Sequence, residues 1–407
     1  MTGGGSGPGA ACESDAERLA RAGLSRHVEP GDLVVTRAVA AEGAEAVWDR
    51  LRRSRPEPPM SPEEDLATAA RVGARFVVPG DEEWPGPLDD LTRTAGSGDA
   101  AAPWGLWVRG QASLADVADR AVALVGSRAA TSYGLHVAGD MALDLAGAGW
   151  HVVSGGAFGI DGAAHRGALV GNGTRNGPQG TTAVVLAGGV DVPYPKAHTA
   201  LLERVVEEGG VLLSEAPPAT PPLRRRFLSR NRIIAALAAG TVVVEAGVRS
   251  GALSTARHAR RLGRQVLAVP GPVTSGLSAG PHLVLRQWPE AQLVTTAAEV
   301  VEAVGRIGEL APLPEAPPGP RDGLEPLMHA VLDALPSRTP APVEEIARRC
   351  GLSAATAGRV LDPLLAVGLV ERRPDGWRLS ELGRRPSGAA RALAPARGRP
   401  EEGGVPA

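Results

Sequence analysis

The 407-residue chain has few cysteines, few aromatic residues and almost no lysine. Its two cysteines, Cys12 and Cys350, lie far apart, which excludes a disulfide scaffold and a cysteine-based zinc site and is typical of a reducing cytosol. No apolar run of about 18 residues occurs, so no membrane span is predicted. The first residues, MTGGGSGPGA, lack the basic and apolar segments of a secretory signal. We therefore expect a cytoplasmic protein without membrane attachment.

The chain also lacks a dominant charge, since 43 Lys and Arg residues oppose 45 Asp and Glu residues, for a formal net charge of −2. This balance argues against a uniformly basic DNA-coating protein and leaves room for a local basic patch. Lys196 is the only lysine, so the other 42 of these cations are arginines. With 53 Gly and 36 Pro residues, the chain is expected to contain flexible ends, linkers and Gly-rich turns.

From Arg120 onward, short apolar stretches such as AVALVG (121–126) alternate with amphipathic helical patterns. This alternation predicts an α/β fold whose parallel sheet is covered by helices on both faces. The preceding stretch, 76–110, is expected to be rich in turns. Further on, three helical patterns and two short strands around the turn Pro374-Asp375-Gly376 predict a winged helix.

Composition and periodicity divide the chain into six segments. We predict a disordered head (1–12), a small helical, SAM-like domain (13–75), an α/β domain (76–308), a Pro-rich linker (309–323), a winged helix (324–380) and a disordered tail (381–407). The stretch GNGTRNGPQG (171–180) is predicted to be a surface loop inside the α/β domain.

The first candidate site is Gly126-Ser127-Arg128, which follows the first apolar strand. Ligands of open parallel sheets bind at the carboxyl ends of the strands, where helix N-termini offer free N–H groups to anions. Gly126 lets backbone approach a phosphate, and the guanidinium of Arg128 suits one. The alternative is a surface arginine in an ordinary strand-to-helix turn.

A second Gly-rich loop contains Ser154, Gly155 and Gly156 and leads to Asp161 and His165. Its functional interpretation is another anion-binding loop that Asp161 orients. In the alternative, Asp161 caps the helix and His165 bonds it locally, since the two residues are four apart. No third ligand lies at useful spacing, so a metal site is not expected.

The third candidate is the segment LRRRFLSRNRII, 223–234. Its arginines surround one aromatic residue and one amide: Arg224, Arg225, Arg226, Phe227, Arg230, Asn231 and Arg232. Arginines neutralise phosphates and a phenyl ring stacks on an unpaired base, so the segment favours single-stranded nucleic acid. The alternative is a solvated basic turn with Phe227 in the core.

Two further segments follow predicted strands. Ser250 and Gly251 precede a helix and make a third phosphate contact plausible, whereas the nearby Glu245 either acts as a general acid or base or pairs with an arginine. Lys196, after Tyr194, is a candidate backbone contact or an ordinary surface charge.

Six motifs occur in order: GSRxxTxYG, SGGAFGIDGAAHRGAL, YPKxH, FLSRNRII, EAGVRSGALSTA and AVPGPVTS. With them, the chain resembles the DprA (Smf) family of bacterial DNA-processing proteins, most strongly over about 120–300. The helical N-terminal region and the winged helix are also similar to that family. One departure is Pro281, which removes a backbone N–H from a loop where the family more often has other residues.

The resemblance implies an extended Rossmann-like fold and a homodimer. It also implies sequence-independent binding of single-stranded DNA and loading of the RecA recombinase onto that DNA, in support of recombination and transformation. The family is not regarded as enzymatic, and no cofactor is implied. The matching positions suggest these DNA contacts: Arg128, Lys196, Arg224, Phe227, Arg230 and Arg232.

An alternative hypothesis is a nucleotide phosphoribohydrolase-type enzyme that uses Glu245. The chain lacks the Pro-Gly-Gly-x-Gly-Thr loop of that class and has EAGVRSGA instead. A third hypothesis, a transcription regulator, requires duplex binding by the winged helix. Because that segment has seven acidic and seven basic residues, protein docking is nearly as well supported as DNA contact.

Overall fold

The computed structural model describes residues 15–54, 60–94, 101–172, 180–305, 320–321 and 323–384. The chain divides into two compact units, with the boundary between Ala311 and Pro312. The predicted head, most of the predicted linker, most of the predicted tail and most of the 171–180 loop lie outside the described residues.

The first unit begins with helices. Four of them precede the sheet: α1 Asp15–His27, α2 Leu33–Glu42, α3 Ala44–Ser54 and α4 Pro62–Arg71. Helix α4 begins with a capping box, in which Ser61 and Glu64 cap each other's backbone N–H groups, and Pro62 occupies the first turn. These helices belong to the same compact unit as the sheet, and Trp107 of the sheet donates to Ser25 Oγ of α1 at 3.2 Å.

A nine-stranded sheet forms the centre of the first unit. Its strands are β1 Ala74–Val77, β2 Leu106–Arg109, β3 Ala121–Val125, β4 His151–Ser154, β5 Thr182–Val185, β6 Val211–Ser214, β7 Gly240–Val243, β8 Gln265–Ala268 and β9 Gln292–Leu293. The spatial order is β1-β2-β6-β5-β4-β3-β7-β8-β9, and β3 to β9 are parallel. The α/β prediction is therefore confirmed. The turn-rich interpretation of 76–110 missed β2, which pairs antiparallel with β1 and β6.

Helices cover both faces of this sheet. They are α5 Asp90–Thr94, α6 Leu114–Asp119, α7 Ser132–Gly147, α8 Ile160–Asn172, α9 Thr199–Glu207, α10 Arg224–Ser229, α11 Asn231–Leu237, α12 Ala252–Arg261, α13 Ala279–Gln287 and α14 Ala297–Val304. One apolar cluster packs α11 and α12 on one face, and another packs α7, α8 and α14 on the opposite face. Pro281 lies in the first turn of α13 and not in a loop. Backbone N–H groups of the first turn have no acceptor within the helix, so the missing N–H of Pro281 breaks no helical hydrogen bond.

The strand order reverses between β3 and β7. From β3 the chain proceeds through β4, β5 and β6 on one side of the sheet, and then returns to place β7, β8 and β9 on the other side. Connections that leave in opposite directions open a crevice at the carboxyl ends of the two central strands, and this is where open α/β sheets bind ligands.

The second unit is the winged helix that the sequence predicts. It contains α15 Pro326–Ala334, α16 Val343–Cys350, α17 Ala354–Ala366, β10 Val370–Arg373 and β11 Gly376–Leu379. Arg373 pairs with Gly376, so Pro374 and Asp375 form the expected tight turn. The described part of the predicted tail, 381–384, is held in place, because Arg321 Nε donates to the carbonyl of Gly383 at 2.9 Å.

Candidate nucleic-acid interface

A cleft of about 480 Å³ opens at the carboxyl ends of β3 and β7, where the strand order reverses. Eight of the predicted site residues line it: Gly126, Ser127, Arg128, Phe227, Arg230, Asn231, Ser250 and Gly251. The other six are not among its lining residues: Ser154, Gly155, Gly156, Lys196, Arg224 and Arg232. The sheet therefore brings together three segments that are far apart in sequence, as the positions of the strand ends predict.

The loop after β3 is fixed by its backbone. Ser127 N donates to the carbonyl of Glu245 at 2.7 Å, and Ser127 O accepts from Ile160 N at 3.2 Å. A Cβ on Gly126 would lie 2.4 Å from the Ile160 side chain, so this glycine is required by packing between β3, β7 and α8. The loop presents Arg128, whose guanidinium carbon lies 4.9 Å from the centre of the Phe227 ring.

Arg230 joins the second Gly-rich loop to the cleft. Its guanidinium is nine-tenths buried and donates to the carbonyls of Gly155, at 2.7 Å, and Val185. A Cβ on Gly155 would lie 2.0 Å from this guanidinium, which explains the glycine. Burial lowers the pKa of Arg230 to about 10, although Asp161, 4.0 Å away, opposes the shift. Arg230 therefore stays charged at neutral pH and holds the loop that it contacts.

The remaining polar groups of this loop face inward. Ser154 Oγ donates to the carbonyl of Leu124 at 2.6 Å and is fully buried. Asp161 accepts from Ala157 N at 3.3 Å, and burial raises the pKa of its carboxyl group. His165 does not bond Asp161, because its Nδ1 lies 2.7 Å from Thr182 Oγ1 inside the core. The buried side chains of Ser154 and Asp161 therefore hold the loop in place. Gly156 has a φ of 69°, which allows the chain to turn there.

His165 is expected to make the protein sensitive to acid. Burial, with smaller contributions from His198 and Arg230, lowers the pKa of His165 to about 3, from an ordinary value of 6.5. Between these pH values the unfolded chain binds more protons than the folded one, so the free energy of unfolding falls as pH falls, by about 1.4 kcal/mol per unit below pH 6.5. Urea unfolding measures the free energy of unfolding at pH 7 and at pH 5. The decrease between these two pH values should be about 2 kcal/mol smaller for His165→Asn than for the wild type. An identical loss in both proteins would contradict this role.

The basic segment is divided into exposed and paired arginines. Arg224 is exposed at the start of α10. Arg225 and Arg226 both pair with Glu29, at 2.5 Å and 2.8 Å. Burial favours a higher pKa for the Glu29 carboxyl, but hydrogen bonds from both arginines outweigh it and leave the pKa lowered. The single negative charge of Glu29 therefore offsets one of the positive charges that the sequence assigns to nucleic acid, and it occupies two of the arginines.

Arg232 lies inside the protein, in the first turn of α11. Its side chain is fully buried and makes two bonds of 2.6 Å to the carboxylate of Glu215. Its Nε donates to the carbonyl of Ala101 at 2.7 Å. These contacts favour a structural role for Arg232 over the direct phosphate contact that the sequence predicts.

The other predicted residues are distributed around the cleft. Asn231 Nδ2 donates to the carbonyl of Gly251 at 3.3 Å and so links α11 to the loop before α12. Ser250 Oγ accepts from Ala252 N at 3.2 Å, at the N-terminal end of α12. Lys196 is exposed and lies on a short 3-10 turn after Tyr194.

Glu245 has a structural role. It is 2% exposed, and its carboxylate accepts from Thr131 N at 2.8 Å and from Thr131 Oγ1 at 2.6 Å. It therefore bonds the residue that caps α7, rather than an arginine, and it does not line the cleft. Nothing in this position favours a general acid or base.

Two exposed side chains at this edge were not among the predicted site residues. Arg249 lines the cleft beside Ser250. Phe158 belongs to the second Gly-rich loop and is 47% exposed. Both occur within motifs that the sequence identifies, but only the structure shows which of the motif side chains reach solvent.

Comparison with known proteins shows the family to which the chain belongs. Residues 75–305 match the family described as DNA recombination-mediator protein A. The chain belongs to the DNA recombination-mediator protein A family. Residues 315–376 match the DprA winged helix domain as well, so both units carry DprA features.

Individual DprA relatives agree with this assignment. A DprA protein of Mycobacterium tuberculosis is 45% identical over 376 residues, which cover 88% of this chain and 94% of the relative. Protein Smf of Escherichia coli is 37% identical over 262 residues, or 63% of this chain and 67% of the relative. The X-ray structure of DprA from Streptococcus pneumoniae superposes with a TM-score of 0.56 at 27% identity, covering 72% of this chain and all of that one. The resemblance to the DprA family is thereby confirmed.

Among its described residues, the winged helix contains both paired and unpaired cations. Arg373 and Arg378 both pair with Glu371, at 2.6 Å and 2.9 Å, and Arg372 lies over the Trp377 ring. Arg359 is exposed on α17. Together with the pair of Arg349 and Glu345, three of the seven arginines in 324–380 form ion pairs within the described residues.

Within the part of the chain that the structure describes, no three His, Cys, Asp or Glu side chains lie close enough to hold a metal ion. In the same residues, no helix combines the length and the apolar character that crossing a membrane requires.

Proposed function

We propose that this DNA recombination-mediator protein binds single-stranded DNA at the cleft between β3 and β7. We further propose that it loads the RecA recombinase onto that DNA, acting as a cytoplasmic homodimer without enzymatic activity, in recombination and transformation. The observation that carries the proposal is that the exposed arginines Arg128 and Arg249 line one cleft with Phe227, at the strand-order reversal, and that the guanidinium of Arg128 lies against the Phe227 ring.

The charge distribution supports binding of a phosphate backbone. The chain has a net charge of −2, yet two exposed arginines, Arg128 and Arg249, line the cleft. Two further exposed cations lie outside its lining, Lys196 on the 3-10 turn after β5 and Arg224 at the start of α10. None of these four forms a salt bridge within the described residues. Unpaired cations next to an aromatic ring are the combination with which single-stranded nucleic acid is bound without sequence preference.

The backbone of Ser127 is engaged within the protein, since its N–H donates to Glu245 and its carbonyl accepts from Ile160. The exposed side chain of Arg128 is therefore the main group with which this loop contacts a phosphate. Support for RecA loading, for the homodimer and for a role in transformation comes from membership of the family.

Fluorescence anisotropy with a labelled oligo-dT and the matching duplex tests DNA binding. We expect single-strand-selective binding that weakens as salt rises, with a slope of log K against log salt near −0.7 for each phosphate neutralised. Loss of binding at low salt, or equal affinity for the duplex, would contradict the proposal. RecA filament formation on DNA precoated with a single-strand-binding protein then tests loading, and should be faster when this protein is added.

A further inference from the structure

Exposed aromatic rings are concentrated at the carboxyl edge of the sheet. The chain has only three Phe and two Tyr residues, and four of these five lie there, with Phe76 of β1 as the exception. Among the described residues, the aromatic side chains with the largest exposed fractions are Tyr133 at 41%, Tyr194 at 46% and Phe158 at 47%. Leaving large rings in water costs free energy that a bound ligand would recover.

Other side chains of the protein already cover part of the Phe227 ring, which the sequence assigns to base stacking. Phe227 is only partly exposed, and the guanidinium of Arg128 lies 4.9 Å from its centre. Tyr194 contacts it as well, with ring centres 5.4 Å apart and planes inclined by 58°. Phe227 therefore offers limited free surface, and Tyr194 continues the aromatic surface outward from it.

We propose that Phe158 and Tyr194 are two further base-stacking residues, which extend the DNA-binding surface from the cleft across the ends of β4 and β5. The inference rests on the proposed function, because it names the part of single-stranded DNA, its unpaired bases, that these rings recognise. Their stacking adds to phosphate contacts made by Arg128 and Lys196.

The Phe158 ring is held in place before any ligand arrives. Its ring meets that of His198 at 4.9 Å, edge to face with planes inclined by 67°. His198 is buried, and its Nδ1 lies 3.0 Å from the carbonyl of Gly156 in the loop that carries Phe158. A ring supported on one side by a buried partner loses little conformational entropy when a base stacks on the other side.

Cations alternate with the rings along this edge. Lys196 lies two residues from both Tyr194 and His198, and it is exposed. Arg128 follows β3, whereas Lys196 follows β5, and β4 lies between these two strands in the sheet. Neighbouring strands are about 4.8 Å apart, so these three strand ends form a continuous surface about 10 Å long, on which bases can stack while the backbone follows the cations.

The test compares oligo-dT with the same oligonucleotide carrying abasic sites, for wild type, Phe158→Leu and Tyr194→Leu. Each variant is expected to bind oligo-dT about tenfold or more weakly, because one stacked base is lost. On the fully abasic oligonucleotide both variants should match the wild type, and the salt slope on oligo-dT should stay unchanged, since the same phosphates are neutralised. Val273→Ala is the control, because it removes exposed apolar surface after β8 without removing a ring.

The outcomes separate this inference from the proposed function. A wild-type protein that binds no single-stranded DNA contradicts the proposed function itself. A wild type that binds oligo-dT, together with variants of unchanged affinity, contradicts the inference alone. Variants that lose affinity equally for oligo-dT and for abasic DNA also overturn it, because the rings would then support the site rather than contact bases. Both side chains are about half exposed, so each variant is expected to fold, which circular dichroism checks.

Discussion

Arg232→Ala is expected to lower the free energy of unfolding of the first unit by about 3–5 kcal/mol, because it leaves the carboxylate of Glu215 without its buried partner. The removed guanidinium also leaves the carbonyls of Ala101 and Ser229 without their donors. Urea titration followed by circular dichroism measures this change.

Arg225→Ala is the matched control. This arginine belongs to the same segment and also pairs with a glutamate, but it is 67% exposed, and Glu29 keeps a second partner in Arg226. Exposed pairs of this kind contribute less than about 1 kcal/mol. Replacing both members of the buried pair, as Arg232→Met with Glu215→Leu, should recover part of the loss. If Arg232→Ala unfolds like the wild type and yet binds DNA more weakly, the direct phosphate contact predicted from the sequence is correct.

Arg128→Ala is expected to weaken binding to every single-stranded oligonucleotide, whatever its sequence, by about 10- to 100-fold at low salt. A hydrogen bond between a guanidinium and a phosphate is charge-assisted, and such bonds contribute about 1.5–3 kcal/mol. The slope of log K against log salt should also become shallower by about 0.7 for the lost phosphate contact. Anisotropy titrations with two oligonucleotides of different sequence, each at several salt concentrations, measure both quantities.

Arg204→Ala is the control for this change. It removes an exposed arginine from α9, where Arg204 pairs with Glu208 and does not line the cleft. Its affinity for DNA should equal that of the wild type. Equal affinities for Arg128→Ala and the wild type would show that the binding surface lies elsewhere on the protein.

Much of the fold follows from local sequence pattern. The strands β3 to β8 are continuous apolar stretches, and the helices between them carry apolar residues on one side, so periodicity alone predicts a covered parallel sheet. Strand β2 was missed because it is four residues long and lies between Gly105 and Gly110. It becomes a strand through pairing with β6, about one hundred residues further along the chain, and no local pattern contains that information.

The position of the cleft was predictable from the sequence, whereas the contacts of its arginines were not. The loops after β3 and β7 meet because parallel strands end at a shared edge, and this required only the order of strands and motifs. The state of each arginine was not predictable, because it depends on distant partners. Arg226 pairs with Glu29, 197 positions away. Arg232 is buried, and it donates to the carboxylate of Glu215 and to the carbonyl of Ala101. A dense run of arginines in sequence therefore overstates the charge available at the surface.

The strand-order reversal also has a kinetic consequence. Strand β3 is synthesised before its neighbour β7, which follows it by more than one hundred residues. During translation, the side of the cleft that follows β3 is therefore complete before the side that follows β7. Contacts of such long sequence separation form late, after the loop-closure entropy of the intervening chain has been overcome. A nascent chain that ends before α12 would hold Arg128 without Arg249 or the loop that carries it. Synthesis must therefore pass α12 before the site can form, and nascent chains that end earlier lack one side of the cleft.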